Sequence, residues 1–168
     1  VSACLFGITE NPVWVFVFAI SLASANADTW ASELGILSNK PPILLSTLKR
    51  VEPGTSGAVS ILGTFSGLAG SSFIVLLALF LWPDFFTWPF VIFATIFGFL
   101  GMLIDTVIGS FWQRKTKCVR CRKITERKYH CGKLAIPVSG FSKLNNDGVN
   151  FLSNFIVTFI GGIFGFLF

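Results

Sequence analysis

Long apolar runs separated by polar stretches dominate the hydropathy pattern of this chain. A helix that crosses a bilayer needs about 20 mostly apolar residues. The pattern predicts four such helices, over residues 12–27, from just after Pro53-Gly54 to Trp82, over 85–104 and over 149–168. We therefore expect an all-α fold, a polytopic transmembrane helical bundle with about four spans.

Two of these predicted helices have unusual lengths. The first is short for a span, and Ser32, Gly35 and Leu37 are placed to continue it past Asp28. The second is longer than one span requires, so we expect it to tilt or to break near Gly70-Ser71-Ser72.

Composition supports a lipid environment for the whole chain. Of its 168 residues, 53% are hydrophobic and 12% are charged, against about 25% charged residues in soluble domains. The mean hydropathy is +0.75. We interpret residues 1–168 as a single integral membrane domain, and the start at Val1 predicts that amino-terminal helices precede it.

Charge is concentrated in one part of the chain, because ten of the thirteen Lys and Arg residues lie between Arg114 and Lys143. The turn at Trp82-Pro83-Asp84 is tight, so the polar connections 28–55 and 105–148 are expected on one face. The positive-inside rule assigns that face to the cytoplasm. We therefore expect a bacterial or archaeal cytoplasmic membrane protein whose active face points to the cytoplasm.

The basic loop over residues 113–143 also bears on partners. A juxtamembrane basic segment more often contacts anionic membrane lipids or a polyanionic substrate than nucleic acid. Membrane lipids are therefore expected partners, and nucleic acid is not.

Acidic and amide side chains are predicted at several helix ends on that face. Asp28 and Glu33 follow the first apolar run, Asp105 follows the third, and Asn146 and Asn150 lead into the fourth. Hard oxygen ligands from several helices suit Mg²⁺ held against a polyphosphate. The alternatives are that Asp28 reaches water at the headgroups and that residues 145–148 form an ordinary helix cap.

A candidate phosphate-binding segment precedes the second run, with the sequence KRVEPGTSG over residues 49–57. The Pro-Gly turn permits close backbone approach, Thr55 or Ser56 is placed to cap the helix, and the free N–H groups there attract anions. The order of residues differs from a Walker A loop, so a P-loop ATPase is not indicated. An ordinary capped helix start explains the pattern nearly as well.

Three cysteines and the chain's one histidine lie together in the basic loop. Cys118 and Cys121 form a CxxC pair, and His130-Cys131 follows. This spacing is typical of a four-ligand zinc knuckle. Free or redox-active thiols are the alternative.

Four segments carry a family resemblance: ADTWASELG (27–35), KRVEPGTSGAVSILGT (49–64), GMLIDTVIG (101–109) and NNDGVNFLSN (145–154). Together they resemble the transmembrane protein 19 family, which includes the plant chloroplast phytyl-phosphate kinase. The first two are more distantly similar to CTP-dependent dolichol and phytol kinases.

The resemblance implies a function and a set of site residues. The implied reaction transfers a phosphoryl group from a nucleoside triphosphate, CTP by similarity, to an isoprenyl monophosphate such as phytyl or geranylgeranyl phosphate. By motif, Asp28 and Glu33 would belong to the metal and nucleotide region. The phosphate cradle would comprise Lys49, Arg50, Glu52, Gly54 and Thr55, completed by Asp105, Asn146 and Asn150.

Our hypothesis from these residues is that Asp28 and Asp105 hold Mg²⁺ and that Lys49, Arg50 and the Gly54-Thr55 amides bind phosphates. One rival function is a cytidylyltransferase that joins CMP to a lipid phosphate. Another is a non-enzymatic membrane transporter whose acidic residues line a substrate path. A third is a structural or redox protein organised around the cysteine loop.

Overall fold

The computed structural model describes residues 1–167. Its helices are α1 (Ser2–Thr9), α2 (Val13–Gly35), α3 (Ile61–Leu81), α4 (Trp88–Phe111) and α5 (Asn146–Leu167). The connections carry short strands, β1 (Ile43–Leu44), β2 (Lys49–Arg50), β3 (Ala58–Val59), β4 (Lys115–Lys117), β5 (Ile124–Thr125), β6 (Tyr129–His130), β7 (Lys133–Leu134) and β8 (Ile136–Ser139).

Within residues 1–167, α2, α3, α4 and α5 are long and apolar enough to cross a membrane. This confirms the predicted transmembrane bundle and the expected continuation of the first helix past Asp28, whereas the third helix ends later than its apolar run indicated. Helix α2 continues through Asp28 to Gly35, and α4 extends to Phe111, so that Asp105 lies inside the helix. The start of α4 is fixed by Pro89 in its first turn, where the missing N–H costs nothing.

Helix α3 begins later than predicted. It starts at Ile61, and the Ser60 hydroxyl caps it by accepting a hydrogen bond from the Gly63 N–H at 3.0 Å. The expected cap at Thr55 or Ser56 is therefore wrong, because residues 49–59 turn back and pair as strands before the helix begins.

The expected break in α3 near Gly70 is also not found, since the helix is continuous through this segment. Polar side chains here bond to neighbouring helices instead. The Asn26 amide donates to the Gly70 carbonyl at 2.9 Å, and the Ser71 hydroxyl donates to the Thr95 carbonyl at 2.8 Å. Small residues at this level serve close helix packing rather than a kink.

Helix α2 lies at the centre of the bundle and packs against α3, α4 and α5. Ile20 and Ala23 on α2 are fully buried. Large apolar side chains also cover the outer surface, and Phe65 and Phe80 on α3 are 67% and 80% exposed. Water would disfavour such a surface, whereas the hydrocarbon core of a bilayer accommodates it.

The two long connections meet at one end of the bundle, as the tight turn predicted. The Ser46 N–H donates to Ser110 Oγ at 2.8 Å, and the Ser56 hydroxyl donates to Gln113 Oε1 at 2.7 Å. Their strands form three small sheets, in the orders β2-β1-β3, β5-β4-β8 and β6-β7. This is the end at which α2 and α4 finish and α5 begins, and we call it the loop end.

Candidate functional site

A cavity of about 890 Å³ lies between α2 and α5, with α4 contributing to its wall. The two acids Asp28 and Asp105 line it near the loop end, together with the polar residues Ser21, Ser24, Thr29, Asn150, Ser153 and Asn154. Beyond them the lining is mostly apolar and aromatic, with Trp14, Phe155, Phe159, Ile163 and Phe166, and Thr158 and Ser2 are the polar residues there. The cavity therefore has a polar, acidic part near the loop end and a mostly apolar part beyond it.

The length of this cavity follows from helix geometry. On α2 its lining runs from Trp14 to Thr29, which corresponds to about 22 Å at 1.5 Å per residue. A cavity of this length, with acids at one end and mostly apolar walls beyond them, suits an amphiphile with a charged head and a long tail.

Asp105 is the most constrained acid of the cavity, with only 9% of its surface exposed. The Ser153 hydroxyl donates to its Oδ2 at 2.9 Å. With its amide oriented to donate, Asn150 places its nitrogen 3.0 Å from the same oxygen. A buried carboxylate needs such partners, and two of them come from α5.

Asn154 holds α5 against α2 one turn further along. Its amide nitrogen donates to the Ser21 carbonyl at 2.9 Å, and the Ser21 hydroxyl donates to its amide oxygen at 2.9 Å. The Thr158 hydroxyl also donates to that oxygen, at 3.1 Å. These bonds fix the spacing of the two helices beside the cavity.

Among the predicted metal and nucleotide residues, Asp28, Asp105 and Asn150 line this one cavity. Asp28 is half-buried, and its negative charge and that of Asp105 repel each other. Glu33 lies on a later turn of α2, exposed and outside the cavity lining, and Asn146 is likewise exposed on the first turn of α5. The Asn146 carbonyl lies 3.2 Å from the Asn150 amide.

The predicted phosphate segment lies on the α2–α3 connection and not in the cavity. Lys49 and Arg50 form the exposed strand β2, paired with β1. Gly54 takes a left-handed φ of +81°, and the Thr55 hydroxyl donates to the Glu52 carbonyl at 2.7 Å. The structure therefore does not bring Lys49, Arg50, Glu52, Gly54 or Thr55 to the two aspartates.

Charged groups in the two connections contact each other. Lys123 and Glu52 form an ion pair with Nζ and Oε2 separated by 2.8 Å, which lowers the pKa of the Glu52 carboxyl and raises that of Lys123. Burial raises the pKa of the Glu126 carboxyl, while hydrogen bonding to Ser56 and the charge of Lys115 oppose the rise. Burial also lowers the pKa of Lys115, against the attraction of Glu126.

The predicted zinc ligands are brought together, since the ligand atoms of Cys118, Cys121, His130 and Cys131 all lie within 4.8 Å of one another. A hydrogen bond with the Cys121 backbone lowers the pKa of Cys118 to about 6. The neighbouring Cys121 thiol raises the pKa of Cys131 to about 11. Cys4, by contrast, is exposed on α1.

Sequence reasoning missed Ser153, Asn154 and Ser21 as parts of the site. One signal for the first two was present, because Asn150, Ser153 and Asn154 occupy positions i, i+3 and i+4 of a helix and so share a face. Ser21 carried no such signal, since its role depends on contact with a helix 133 positions away in the chain.

Comparison with known proteins places the chain among membrane proteins. It is 34% identical over 155 residues to an uncharacterized membrane protein of Methanocaldococcus jannaschii, covering 92% of this chain and 51% of that protein. It is 32% identical over 152 residues to Protein PGR of Arabidopsis thaliana, covering 84% of this chain and 51% of that protein. The chain thus spans about half the length of these two relatives.

A third relative is the chloroplastic Protein VTE6 of Arabidopsis thaliana, 29% identical over 136 residues, covering 81% of this chain and 33% of that protein. No solved structure matches the chain. The model of the family described as "Integral membrane protein DUF92" matches residues 1–158. Since that match covers nearly the entire chain, the protein belongs to the DUF92 family of integral membrane proteins.

Proposed function

We propose that this chain contains the acceptor and metal site of a membrane-embedded kinase that phosphorylates an isoprenyl monophosphate to the diphosphate. The observation that carries the proposal is the single cavity in which Asp28 and Asp105 lie at one end of a long apolar groove. An isoprenyl phosphate has the matching shape, with an anionic head and a branched hydrocarbon tail. The motif resemblance described above supports the same reaction.

In this proposal Asp28 and Asp105 would hold Mg²⁺, which when bound neutralises phosphate charge. Asn150 and Ser153 orient the Asp105 carboxylate through their hydrogen bonds to Oδ2. The apolar part of the cavity takes the acceptor's tail, so the acceptor's phosphate is held near the two aspartates.

The chemical step needs little covalent work from the protein. An oxygen of the acceptor phosphate bonds to the γ-phosphorus of the nucleoside triphosphate. The bond from that phosphorus to the β–γ bridging oxygen breaks, and the nucleoside diphosphate leaves with the electron pair. The attacking oxygen is already ionised, so a strong general base is not required.

Lys49 and Arg50 are assigned to the nucleotide's phosphates on the motif resemblance and on their charge. Their exposed strand lies at the loop end, outside the cavity. The donor would therefore bind from the aqueous side and extend its γ-phosphate towards the aspartates. CTP is the proposed donor because of the more distant similarity to CTP-dependent lipid kinases.

The test uses the full-length protein purified in detergent, with Mg²⁺, phytyl or geranylgeranyl monophosphate, and γ-labelled CTP, UTP, GTP or ATP. Label in a prenyl diphosphate, lost in Asp28→Asn and Asp105→Asn, is the expected result. Asp84→Asn is the matched control, because Asp84 is an exposed acid in the α3–α4 turn and does not line the cavity.

The products also separate the rivals. A CMP-lipid product with release of pyrophosphate would show that the protein is a cytidylyltransferase and not a kinase. Nucleotide-independent exchange of a labelled solute in liposomes, with no labelled lipid from any donor, would favour a transporter. Full turnover in both aspartate variants would overturn the assignment of the site.

A further inference from the structure

We propose that Cys118, Cys121, His130 and Cys131 bind one Zn²⁺ ion, which folds the α4–α5 connection and holds it against the α2–α3 connection. The distances fit such an ion. The sulfurs of Cys121 and Cys131 lie 3.4 and 3.2 Å from His130 Nδ1. Tetrahedral zinc with Zn–S of about 2.3 Å and Zn–N of about 2.0 Å separates neighbouring S and N ligands by about 3.5 Å.

The backbone around the first pair of ligands is shaped to present both thiols. The Arg120 N–H points at Cys118 Sγ at 3.4 Å, and the Arg122 N–H donates to the Cys118 carbonyl at 3.0 Å. Arg122 takes a left-handed φ of 60°, which is uncommon outside glycine. A tight turn of this kind brings the two sulfurs of a CxxC pair to one side.

The second pair of ligands lies on an equally tight turn. His130 ends β6, β7 begins at Lys133, and the turn between them contains Cys131 with φ of 52° and Gly132 with φ of 74°. Left-handed conformations at non-glycine residues persist where the surroundings enforce them. Here the two-residue β6–β7 hairpin enforces φ > 0 at both of its central residues, and it holds the Cys131 sulfur 3.2 Å from His130 Nδ1.

The α4–α5 connection is held by short strands and hydrogen bonds and has little apolar core. Its strands are two to four residues long, and its larger apolar side chains point outward, with Ile124 60% and Leu134 61% exposed. The Cys118 side chain, at 1% exposure, is among the few buried there. Small units without an apolar core are commonly held by a structural metal or by disulfides, and here three thiols and an imidazole converge.

The location of the metal site gives it a consequence for the other connection. Lys123 follows the Cys118–Cys121 turn by two residues, and its ammonium forms the ion pair with Glu52 on the α2–α3 connection. Within the α4–α5 connection itself, the Thr116 hydroxyl donates to the carbonyls of Thr125 and Arg127, at 2.7 and 2.9 Å, and so ties the segment after Lys123 to β4. Zinc therefore fixes the segment that contacts the neighbourhood of Lys49 and Arg50, and the site itself is independent of the proposed kinase reaction.

The first experiment measures metal content in the full-length protein purified in detergent. Elemental analysis is expected to find about one zinc per chain in the wild type and in Cys4→Ser, and little in Cys118→Ser and Cys121→Ser. His130→Cys keeps a four-ligand site and is expected to retain zinc, which separates ligand loss from misfolding. Cobalt loaded into the apoprotein is expected to give the visible absorption of a tetrahedral thiolate complex.

Three results would overturn the zinc site. These are less than about a tenth of a zinc per chain after purification with added zinc, equal zinc in the Cys118→Ser and Cys4→Ser variants, or a disulfide among Cys118, Cys121 and Cys131. Another metal bound by the same residues would overturn the identity of the ion.

The positioning effect has its own measurement. A carbodiimide joins a carboxylate to an amine that touches it, so Glu52 and Lys123 are expected to give an amide cross-link detectable by mass spectrometry. The yield should fall severalfold after zinc chelation and recover on adding zinc back, and Lys123→Arg should give none. An unchanged yield after complete zinc removal would contradict the positioning role.

Discussion

The Ser153 hydroxyl donates a hydrogen bond to Asp105 Oδ2 across 2.9 Å, and it thereby joins α5 to α4 beside the cavity. Both side chains are buried, at 3% and 9% exposure. A hydrogen bond to a charged group contributes about 1.5–3 kcal/mol. The bond therefore stabilises the bundle and also fixes the direction of the Asp105 carboxylate.

The first prediction concerns this bond. We expect Ser153→Ala to lower turnover about tenfold, and to raise the Mg²⁺ concentration needed for half-maximal activity, because Asp105 loses one of its two orienting donors. Ser153→Thr keeps a hydroxyl and is expected to recover most of the activity. Ser72→Ala is the control, since its hydroxyl bonds within α3 to the Leu68 carbonyl. An unchanged Mg²⁺ dependence in Ser153→Ala would show a purely structural role.

The second prediction tests the apolar part of the cavity. Ile163 lines it and Ile160 does not, although both are 49% exposed on α5. We expect Ile163→Trp to raise KM about tenfold for a geranylgeranyl phosphate acceptor and to leave a five-carbon acceptor nearly unaffected, because the ring fills the far end of the groove. Ile160→Trp is the matched control. Equal KM changes for both acceptors would place the tail elsewhere.

The third prediction compares two glycines of the α2–α3 connection that both have left-handed backbones, Gly57 with φ of +73° and Gly54 with φ of +81°. A Cβ on Gly57 would overlap the Ser110 backbone, whereas a Cβ on Gly54 would meet open space. We expect Gly54→Ala to cost about 1–2 kcal/mol from backbone strain alone. Gly57→Ala should cost several kcal/mol more, because it also separates this connection from α4.

Thermal unfolding of the two variants in detergent, followed by size-exclusion chromatography, measures the difference. Similar transition temperatures for Gly57→Ala and Gly54→Ala would mean that Gly57 does not need its close approach to Ser110.

The sequence predicted the fold well, because length and hydropathy decide which segments cross a membrane. It placed helix ends less well. Asp105 looked like a helix terminator, yet α4 passes through it because Ser153 on α5 supplies a partner for its carboxylate. That contact joins residues 48 positions apart, so a hydropathy pattern contains no signal for it.

The candidate site was also predicted only in part. Asp28, Asp105 and Asn150 each stood at the loop end of a predicted helix, so their convergence followed from topology. Lys49 and Arg50 were expected beside them at a helix start, but pairing of β2 with β1 holds them on the connection. Strands of two residues carry almost no signal in the sequence, so this displacement was not predictable.

The last prediction concerns pH and Glu126. Burial raises the pKa of this carboxyl in the folded protein, although hydrogen bonding to Ser56 and the charge of Lys115 oppose the rise. The folded state therefore favours the protonated form. Its contribution to stability is fully present below the ordinary Glu pKa of about 4.3, and it is lost as pH rises through the raised value.

We consequently expect Glu126→Gln, which stays neutral at every pH, to match the wild type in thermal stability near pH 4 and to exceed it near pH 7. The measurement is the difference between the two transition temperatures across that range, which cancels the titration of other groups. A wild type more stable than Glu126→Gln near pH 7 would mean that Lys115 outweighs burial and that the carboxylate is held ionised.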